Sequence, residues 1–160
     1  MRKTLALLLT VLLLCAPAAV LAEDAITVAI TFDGEYYEFE DYGFQIAVPS
    51  GWVVEDEEDE VFFAYDEETG YCMEIMMIDA GGAALEDIAA EIAAQEGYTI
   101  MPAALNGFVF VFFEAAEEEV FGAFANNPDD SVCFWFMFWP LGDAEFGDLA
   151  LQILATIENT

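Results

Sequence analysis

Apolar and polar residues alternate along much of this chain, and a period of two predicts β-strands. Glycine, proline and acidic clusters separate the alternating runs. In the first half of the chain, the predicted strands cover residues 26–32, 35–40, 42–48, 52–54, 61–65 and 71–78. Asp33-Gly34 is a two-residue hairpin signal, so the first two of these strands are expected to pair with each other.

Alternation gives way to helical spacing at residues 83–96, where alanine is abundant and Gly97 stands at the position of a C-terminal cap. The residues that mark the apolar face of this helix are Leu85, Ile88, Ala89 and Ile92. A short strand at 98–101 and three strongly apolar runs follow. These runs cover residues 107–113, 119–124 and 131–139, and they predict an antiparallel meander.

The last apolar run, VCFWFMFWP, is apolar at every position and is therefore expected to be buried on both faces of its sheet. A second helix is predicted after Asp143, which is a good N-cap residue. Its apolar stripe comprises Phe146, Leu149, Ile153 and Ile157. The pattern as a whole predicts an α+β fold, with a single antiparallel sheet of about six to seven strands flanked by two helices.

The first residues are typical of a secretory signal peptide, with Arg2 and Lys3 before an apolar stretch and small residues before Ala22. We expect cleavage after Ala22, which leaves residues 23–160 as one extracytoplasmic domain. An uncleaved membrane anchor and a lipid attached at Cys15 are the alternatives.

The charge balance of the chain restricts its possible partners most strongly. The chain has 32 Asp and Glu, two Lys and Arg in total, and no His. Arg2 and Lys3 are the two basic residues, so the mature chain has none. Binding to nucleic acid or to an anionic membrane surface relies on basic side chains and is not expected. A cationic partner, or a protein partner, is the expected kind.

The absent residue types also exclude most enzyme chemistry. Without histidine or lysine, the mature chain cannot form a Ser-His-Asp triad, a Cys-His pair or a Schiff base. No cofactor motif is visible. Carboxylates alone can hydrolyse glycosidic bonds, so a carboxylate-only hydrolase acting on glycans is the alternative to a non-catalytic protein.

Residues 55–60 (EDEEDE) are six successive carboxylates with no cation nearby. Calcium prefers oxygen ligands, but the run lacks the spacing of an EF-hand. We expect a solvated loop that binds cations weakly and diffusely. For a defined calcium site, the candidates are Asp56, Asp59 and Glu60, or the turn pair Asp129 and Asp130.

Cys72 and Cys133 both fall inside predicted strands, and we expect these strands to be neighbours. An even number of cysteines in a secreted chain favours a disulfide. The alternative is two buried thiols that act as small apolar side chains.

The aromatic side chains Phe134, Trp135, Phe136, Phe138 and Trp139 are candidates for a face that stacks on carbohydrate, although alternation favours core packing.

The stretch YGFQIAVPSGW at residues 42–52 resembles the entry motif of PsbP-like domains. The closing LQILATI, at residues 151–157, is similar to the terminal helix of the same superfamily. This resemblance implies an antiparallel sheet with helices packed on its faces and, in many members, a secreted accessory role without catalysis. Similar domains carry ordinary basic residues, so partner surfaces that rely on Lys or Arg do not transfer. We therefore expect a secreted, non-catalytic binding or accessory domain of the cell envelope.

Overall fold

The computed structural model describes residues 25–57, 61–127 and 130–160, without the side chains of residues 25, 56, 57 and 61. It contains two sheets and two α-helices. The strands are β1 (Ala25–Ile26), β2 (Gly34–Phe39), β3 (Phe44–Pro49), β4 (Val53–Glu57), β5 (Val61–Tyr65), β6 (Cys72–Asp79), β7 (Thr99–Leu105), β8 (Phe108–Ala115), β9 (Val120–Asn126), β10 (Val132–Trp139) and β11 (Glu158–Asn159). The helices are α1 (Leu85–Glu96) and α2 (Ala144–Leu154).

The larger sheet has eight strands in the order β1-β7-β8-β9-β10-β6-β5-β4, and the smaller has three in the order β11-β3-β2. All described strand pairs are antiparallel except β1 with β7. The α+β class is therefore confirmed, but the prediction of a single sheet is wrong. Alternation identifies a strand without naming its partner, and β3 pairs with β2 and β11 rather than with β4.

The hairpin predicted at Asp33-Gly34 is also wrong, because β2 pairs with β3. Of the predicted strand at residues 26–32, only Ile26 lies in a strand, as the second residue of β1. Residues 27–33 are extended or irregular and pair with no described strand. Side-chain amides hold this segment. The Asn106 side chain bonds both backbone groups of Val28, at 3.0 and 3.1 Å, and Gln152 Oε1 accepts bonds from the N–H and hydroxyl of Thr31 at 2.8 and 2.9 Å.

The two helices lie on opposite faces of the larger sheet. Helix α1 packs on β7, β8 and β9, and its buried Leu85 and Ala89 join Val111, Phe113 and Phe124 in one apolar cluster. We call this the outer face. The opposite, inner face is covered by α2 and the smaller sheet, which share the main apolar core.

The helix signals in the sequence are confirmed. The Asp143 carboxylate accepts hydrogen bonds from the N–H groups of Glu145 and Phe146 at 3.0 and 3.1 Å, and Gly97 caps α1 with φ of 78°. Helix α2 ends at Leu154, so Ile157 of the predicted stripe lies beyond it, and in this segment the Thr156 hydroxyl donates to the Ile153 carbonyl at 2.6 Å. The same hydroxyl accepts from the Ala47 N–H at 2.8 Å, which joins the end of α2 to β3.

Strand β10 does not have equal cover on its two faces. Phe134, Phe136 and Phe138 point into the inner core and are almost fully buried, whereas Trp135, Met137 and Trp139 are half-buried on the outer face. Twelve helical residues span about 18 Å, whereas eight strands span about 34 Å. Helix α1 is therefore too short to cover the outer face.

Candidate binding site

Glu114 is an exposed carboxylate near the end of β8, on the inner face of the larger sheet. It lies opposite Thr99 of β7 on one side and opposite Phe121 of β9 on the other. Phe110 and Phe112 precede it on the same face, with Phe110 fully buried and Phe112 half-buried. Glu114 therefore lies where the apolar surface of the sheet emerges from the core into solvent.

An apolar groove of about 420 Å³ opens beside Glu114. Its lining includes Phe112 and Phe121 of the sheet, Leu151 of α2, Met101 of β7 and Ile26 of β1. The exposed fraction is 59% for Met101 and 38% for Ile26. The groove is the part of the inner face that α2 leaves open, and its volume lies in the range of small-ligand sites.

An acidic depression of about 320 Å³ adjoins the groove and shares Thr99 and Glu114 with it. Its carboxylates are Glu96, at the last position of α1, Glu114, and Glu117 and Glu118 in the turn between β8 and β9. All four side chains are exposed. The end of a helix, the end of a strand and a turn thus bring four carboxylates to one end of the groove.

The electrostatic field at this depression is unfavourable for the protein alone. Burial raises the pKa of the Tyr98 hydroxyl to about 12, and the charges of Glu118 and Glu96 add to the shift. The Tyr98 hydroxyl donates to Glu118 Oε2 at 3.4 Å. A helix C-terminus carries partial negative charge, and the last turn of α1 has no basic residue to offset it.

A third depression, of about 250 Å³, lies at the start of α2 and shares Glu114 and Phe121 with the groove. Asp143 lines it, but this carboxylate is occupied as the helix cap. The Phe146 N–H lowers the pKa of Asp143, and the Tyr71 hydroxyl and Glu145 N–H act in the same direction. A carboxylate held in its charged form serves poorly as a general acid.

The outer face has a second feature, an aromatic patch formed by Phe63, Tyr65 and Trp139. The Phe63 ring lies 5.5 Å from the Tyr65 ring and 5.9 Å from the Trp139 ring. All three side chains are half-buried. Burial raises the pKa of Tyr65, and its hydroxyl donates to Glu55 Oε1 at 3.2 Å, which also raises it. Among the proposed carbohydrate-stacking residues, Trp139 lies in this patch, while Phe134, Phe136 and Phe138 belong to the core.

The two cysteines lie on neighbouring strands, as predicted, but at opposite ends of them. Cys72 is opposite Trp139 and Cys133 is opposite Ile78, which separates them by six residues along β10. At roughly 3.3 Å per residue this is about 20 Å, far beyond the reach of a disulfide. The candidate bridge is wrong, and both thiols are free. Burial raises the pKa of Cys72, and it raises that of Cys133 to about 12.

Of the calcium candidates, only Asp130 has its side chain in the described part of the structure. Asp59, Glu60 and Asp129 lie outside the described residues, and for Asp56 only the backbone is described, in β4. Asp130 is exposed and accepts a hydrogen bond from the Asn126 amide at 3.0 Å, within the turn before β10. In the described part of the chain, no three acidic or cysteine side chains are arranged to hold a metal ion. Calcium binding at these residues stays a prediction.

Sequence reasoning missed the groove, because it ended the predicted strand at residue 113 and left Glu114 outside it. The signal that could have found it is local. Glu114 continues the inward-facing series of β8, so a carboxylate stands where alternation calls for an apolar side chain.

Comparison with known proteins identifies the fold. A crystal structure from Bacteroides thetaiotaomicron matches with a TM-score of 0.57 and 12% sequence identity, over 79% of this chain and 48% of that one. The chain thus spans about half the length of that protein. The solution structure of cyanobacterial PsbP (CyanoP) from Synechocystis sp. PCC 6803 matches with a TM-score of 0.53 and 10% identity, over 79% of this chain and 92% of that one.

No family model matches the chain, and no curated protein does. The structural matches confirm the predicted PsbP-like fold at low sequence identity. No helix in the described residues has the length and apolar character needed to cross a bilayer.

Proposed function

We propose that this chain is a secreted, non-catalytic binding or accessory domain of the cell envelope, which engages a cationic or protein partner through its anionic surface. The observation that carries the proposal is the acidic depression of Glu96, Glu114, Glu117 and Glu118 beside an apolar groove. No lysine, arginine or histidine occurs after Lys3, so apart from the N-terminal amine the positive charge for these carboxylates must come from other molecules or ions.

The proposed location follows from the first residues of the chain. Cleavage of a signal peptide after Ala22 would remove Arg2 and Lys3 together with the apolar segment that follows them. The secreted protein would then have its N-terminal amine as its only cation. Its net negative charge would keep it soluble and would speed the approach of a positively charged partner.

Polylysine tests the proposal, because it offers cations without specific shape. We expect the purified secreted protein to bind polylysine in isothermal titration calorimetry at ~50 mM salt and to lose that affinity steeply as salt rises. Polyglutamate of matched length is the control and should give no heat of binding. Failure to bind polylysine at low salt would overturn the proposal.

A carboxylate-only glycan hydrolase is the second candidate, and the aromatic patch favours it. Glu55 and Glu74 lie on either side of Phe63 in the strand register, on the outer face of the sheet. Their Cα atoms are two strands apart, about 10 Å. Side chains that lean toward each other from this Cα distance can bring their carboxyl groups within the separation of about 5–9.5 Å found across the scissile bond in glycosidases. Release of reducing sugar from soluble glycans by the native protein, lost in Glu74→Gln and in Glu55→Gln, would establish this activity in place of the binding function.

A further inference from the structure

We propose that the groove and the acidic depression together form one binding site for a peptide segment with large apolar side chains next to lysine or arginine. This inference rests on the proposed function, and it names the site and the chemical class of the ligand. The proposed peptide must contact both the groove and the acidic depression. A ligand with positive charge alone would need only the carboxylates of the depression.

The apolar half of the site is the groove over Phe112 and Phe121. Met101 is among the most exposed large apolar side chains in the described chain, and Ile26 beside it is also exposed. Exposed apolar side chains that line a concavity, rather than standing singly on a convex surface, are typical of binding sites. The groove is large enough for apolar side chains of a partner.

The charged half begins at Glu114, which lines all three depressions in this region. Glu96, Glu117 and Glu118 surround the adjoining depression, and the C-terminal end of α1 adds its partial negative charge there. Uncompensated carboxylates at a helix C-terminus destabilise the free protein, and a bound cation would remove that cost. The complementary ligand is therefore positive at this end.

The spacing of the carboxylates favours an extended ligand over a single ion. In the described residues, these glutamates do not converge in a group that could hold a metal. Thr99 and Glu114 belong to both the groove and the acidic depression, so the two halves are contiguous. Successive side chains of a peptide are spaced ~3.3 Å apart when extended, so one short segment can place apolar groups in the groove and cations beyond Glu114.

The experiment uses the protein as secreted, with its N-terminus checked by mass spectrometry, and three short fluorescent peptides of equal length. One combines Leu and Lys, the second replaces Leu by Ser, and the third replaces Lys by Glu. Fluorescence anisotropy at ~150 mM salt should give an affinity for the Leu–Lys peptide about tenfold higher than for the Ser–Lys peptide. The Leu–Glu peptide should not bind.

Two substitutions locate the site, each with a matched control. Met101→Ser should weaken the Leu–Lys complex about fivefold and leave the Ser–Lys complex unchanged, because it removes an apolar contact only. Glu114→Gln should weaken both complexes about threefold, as loss of one partly screened charge pair would. The controls are Val109→Ser, an exposed residue on the outer face, and Glu38→Gln, on β2 of the smaller sheet. Both should bind like the native protein.

Each contrary outcome has a distinct meaning. Equal affinities for the Leu–Lys and Ser–Lys peptides would overturn the combined site and leave the proposed function intact. No binding of either lysine peptide would overturn the site, whereas the proposed function would fall only if polylysine also failed to bind at low salt. Control variants that weaken binding as much as Met101→Ser or Glu114→Gln would place the ligand elsewhere. Uncleaved protein, which retains residues 1–22, should bind the Leu–Lys peptide equally well, and loss of binding there would make the chain's own N-terminal segment the occupant instead.

Discussion

Gly122 is the residue at which the backbones of neighbouring strands leave least space. It lies in β9 opposite Met137 of β10, and a Cβ added there would meet the Phe136 carbonyl oxygen and lie 2.9 Å from the Phe113 ring. The Phe136 carbonyl belongs to the backbone of a central strand, which cannot move away from the added Cβ as the end of a flexible side chain could. We expect Gly122→Ala to lower the free energy of unfolding by about 1–3 kcal/mol or more in urea titration.

Gly147 is the matched control for this substitution. It lies inside α2, and an added Cβ would meet nothing within 4 Å. Gly147→Ala should raise the free energy of unfolding by about 0.5–1 kcal/mol, because alanine restricts the unfolded chain and favours the helix. If both variants lose stability to a similar extent, the close approach at Gly122 is not the cause.

Asp143 makes the start of α2 sensitive to pH. Hydrogen bonds from the Phe146 and Glu145 N–H groups and from Tyr71 lower its pKa in the folded protein. A lowered folded-state pKa contributes stability that is fully present above the unfolded value of about 3.9. That stability is lost as the pH falls through the folded pKa. We therefore expect the thermal unfolding midpoint to fall as the pH drops below about 4, in part because Asp143 loses its charge there.

Two variants separate the cap from its charge. Asp143→Ala should lower the midpoint at neutral pH, because the N–H groups of Glu145 and Phe146 lose their acceptor. Asp143→Asn should retain most of the midpoint at neutral pH, since asparagine caps about as well, and should show a shallower decline in acid. An Asn variant as acid-sensitive as the native protein would assign the decline to other carboxylates, among which Asp66 also has a lowered pKa through its bond from Thr69.

At the scale of elements, periodicity predicted most of the strands and both helices, but the predicted strand at residues 26–32 ends at Ile26, and periodicity did not predict how the strands pair. The predicted strands at 42–48 and 71–78 and the helix at 83–96 correspond to β3, β6 and α1 within a few residues. Alternation reports which face of a strand is buried, and β3 is buried almost throughout. It contains no information on whether the covering layer is the same sheet or another one. The second sheet, which depends on pairing between β3 and the last residues of the chain, was therefore not predictable.

Strand β7 presents an edge that the fold protects with a proline. Within the described residues, Ala25–Ile26 pairs with only its last two positions, so residues 99–103 have no strand partner on that side. Pro102 cannot donate a hydrogen bond to an added strand. Pro102→Val should increase self-association, measured by analytical ultracentrifugation at ~1 M salt, where charge repulsion is screened.

Pro102→Glu is the control for that change. It restores the backbone N–H of residue 102 but places a charge on the edge, and the cost of removing that charge from water opposes pairing between strands even at high salt. We expect this variant to associate no more than the native protein does under the same conditions. Association of the Glu variant to the same extent as the Val variant would mean that the N–H alone, without an apolar side chain, is enough to open the edge.

At the scale of the whole molecule, the charge balance was fully readable from the sequence, but the site that it serves was not. Glu96 and Glu114 are 18 positions apart and belong to a helix and a strand. Only the packing of α1 on β7 and β8 brings them to one depression. The groove likewise combines Ile26, Met101 and Leu151 from three distant segments. The carboxylate at the inward-facing position 114 marks one point of the site, but no local pattern encodes the combination, because the other residues taken singly are ordinary core or surface residues.

The same charge balance should determine solubility. With 32 acidic and two basic residues, electrostatic repulsion between molecules is the main force that opposes contact between the apolar groove and the aromatic patch of different copies. Ordinary Asp and Glu side chains have pKa values of about 3.9 and 4.3, so at about pH 3.5 the negative charge that opposes association is greatly reduced. We expect turbidity and large species in light scattering as the pH falls to that range, and recovery on return to neutral pH. High salt at neutral pH screens the same repulsion without protonating any group, so ~1 M sodium chloride should cause association that is weaker but in the same direction. A clear, monomeric solution near pH 3.5 would show that the packing of the fold, and not its charge, keeps these apolar surfaces apart.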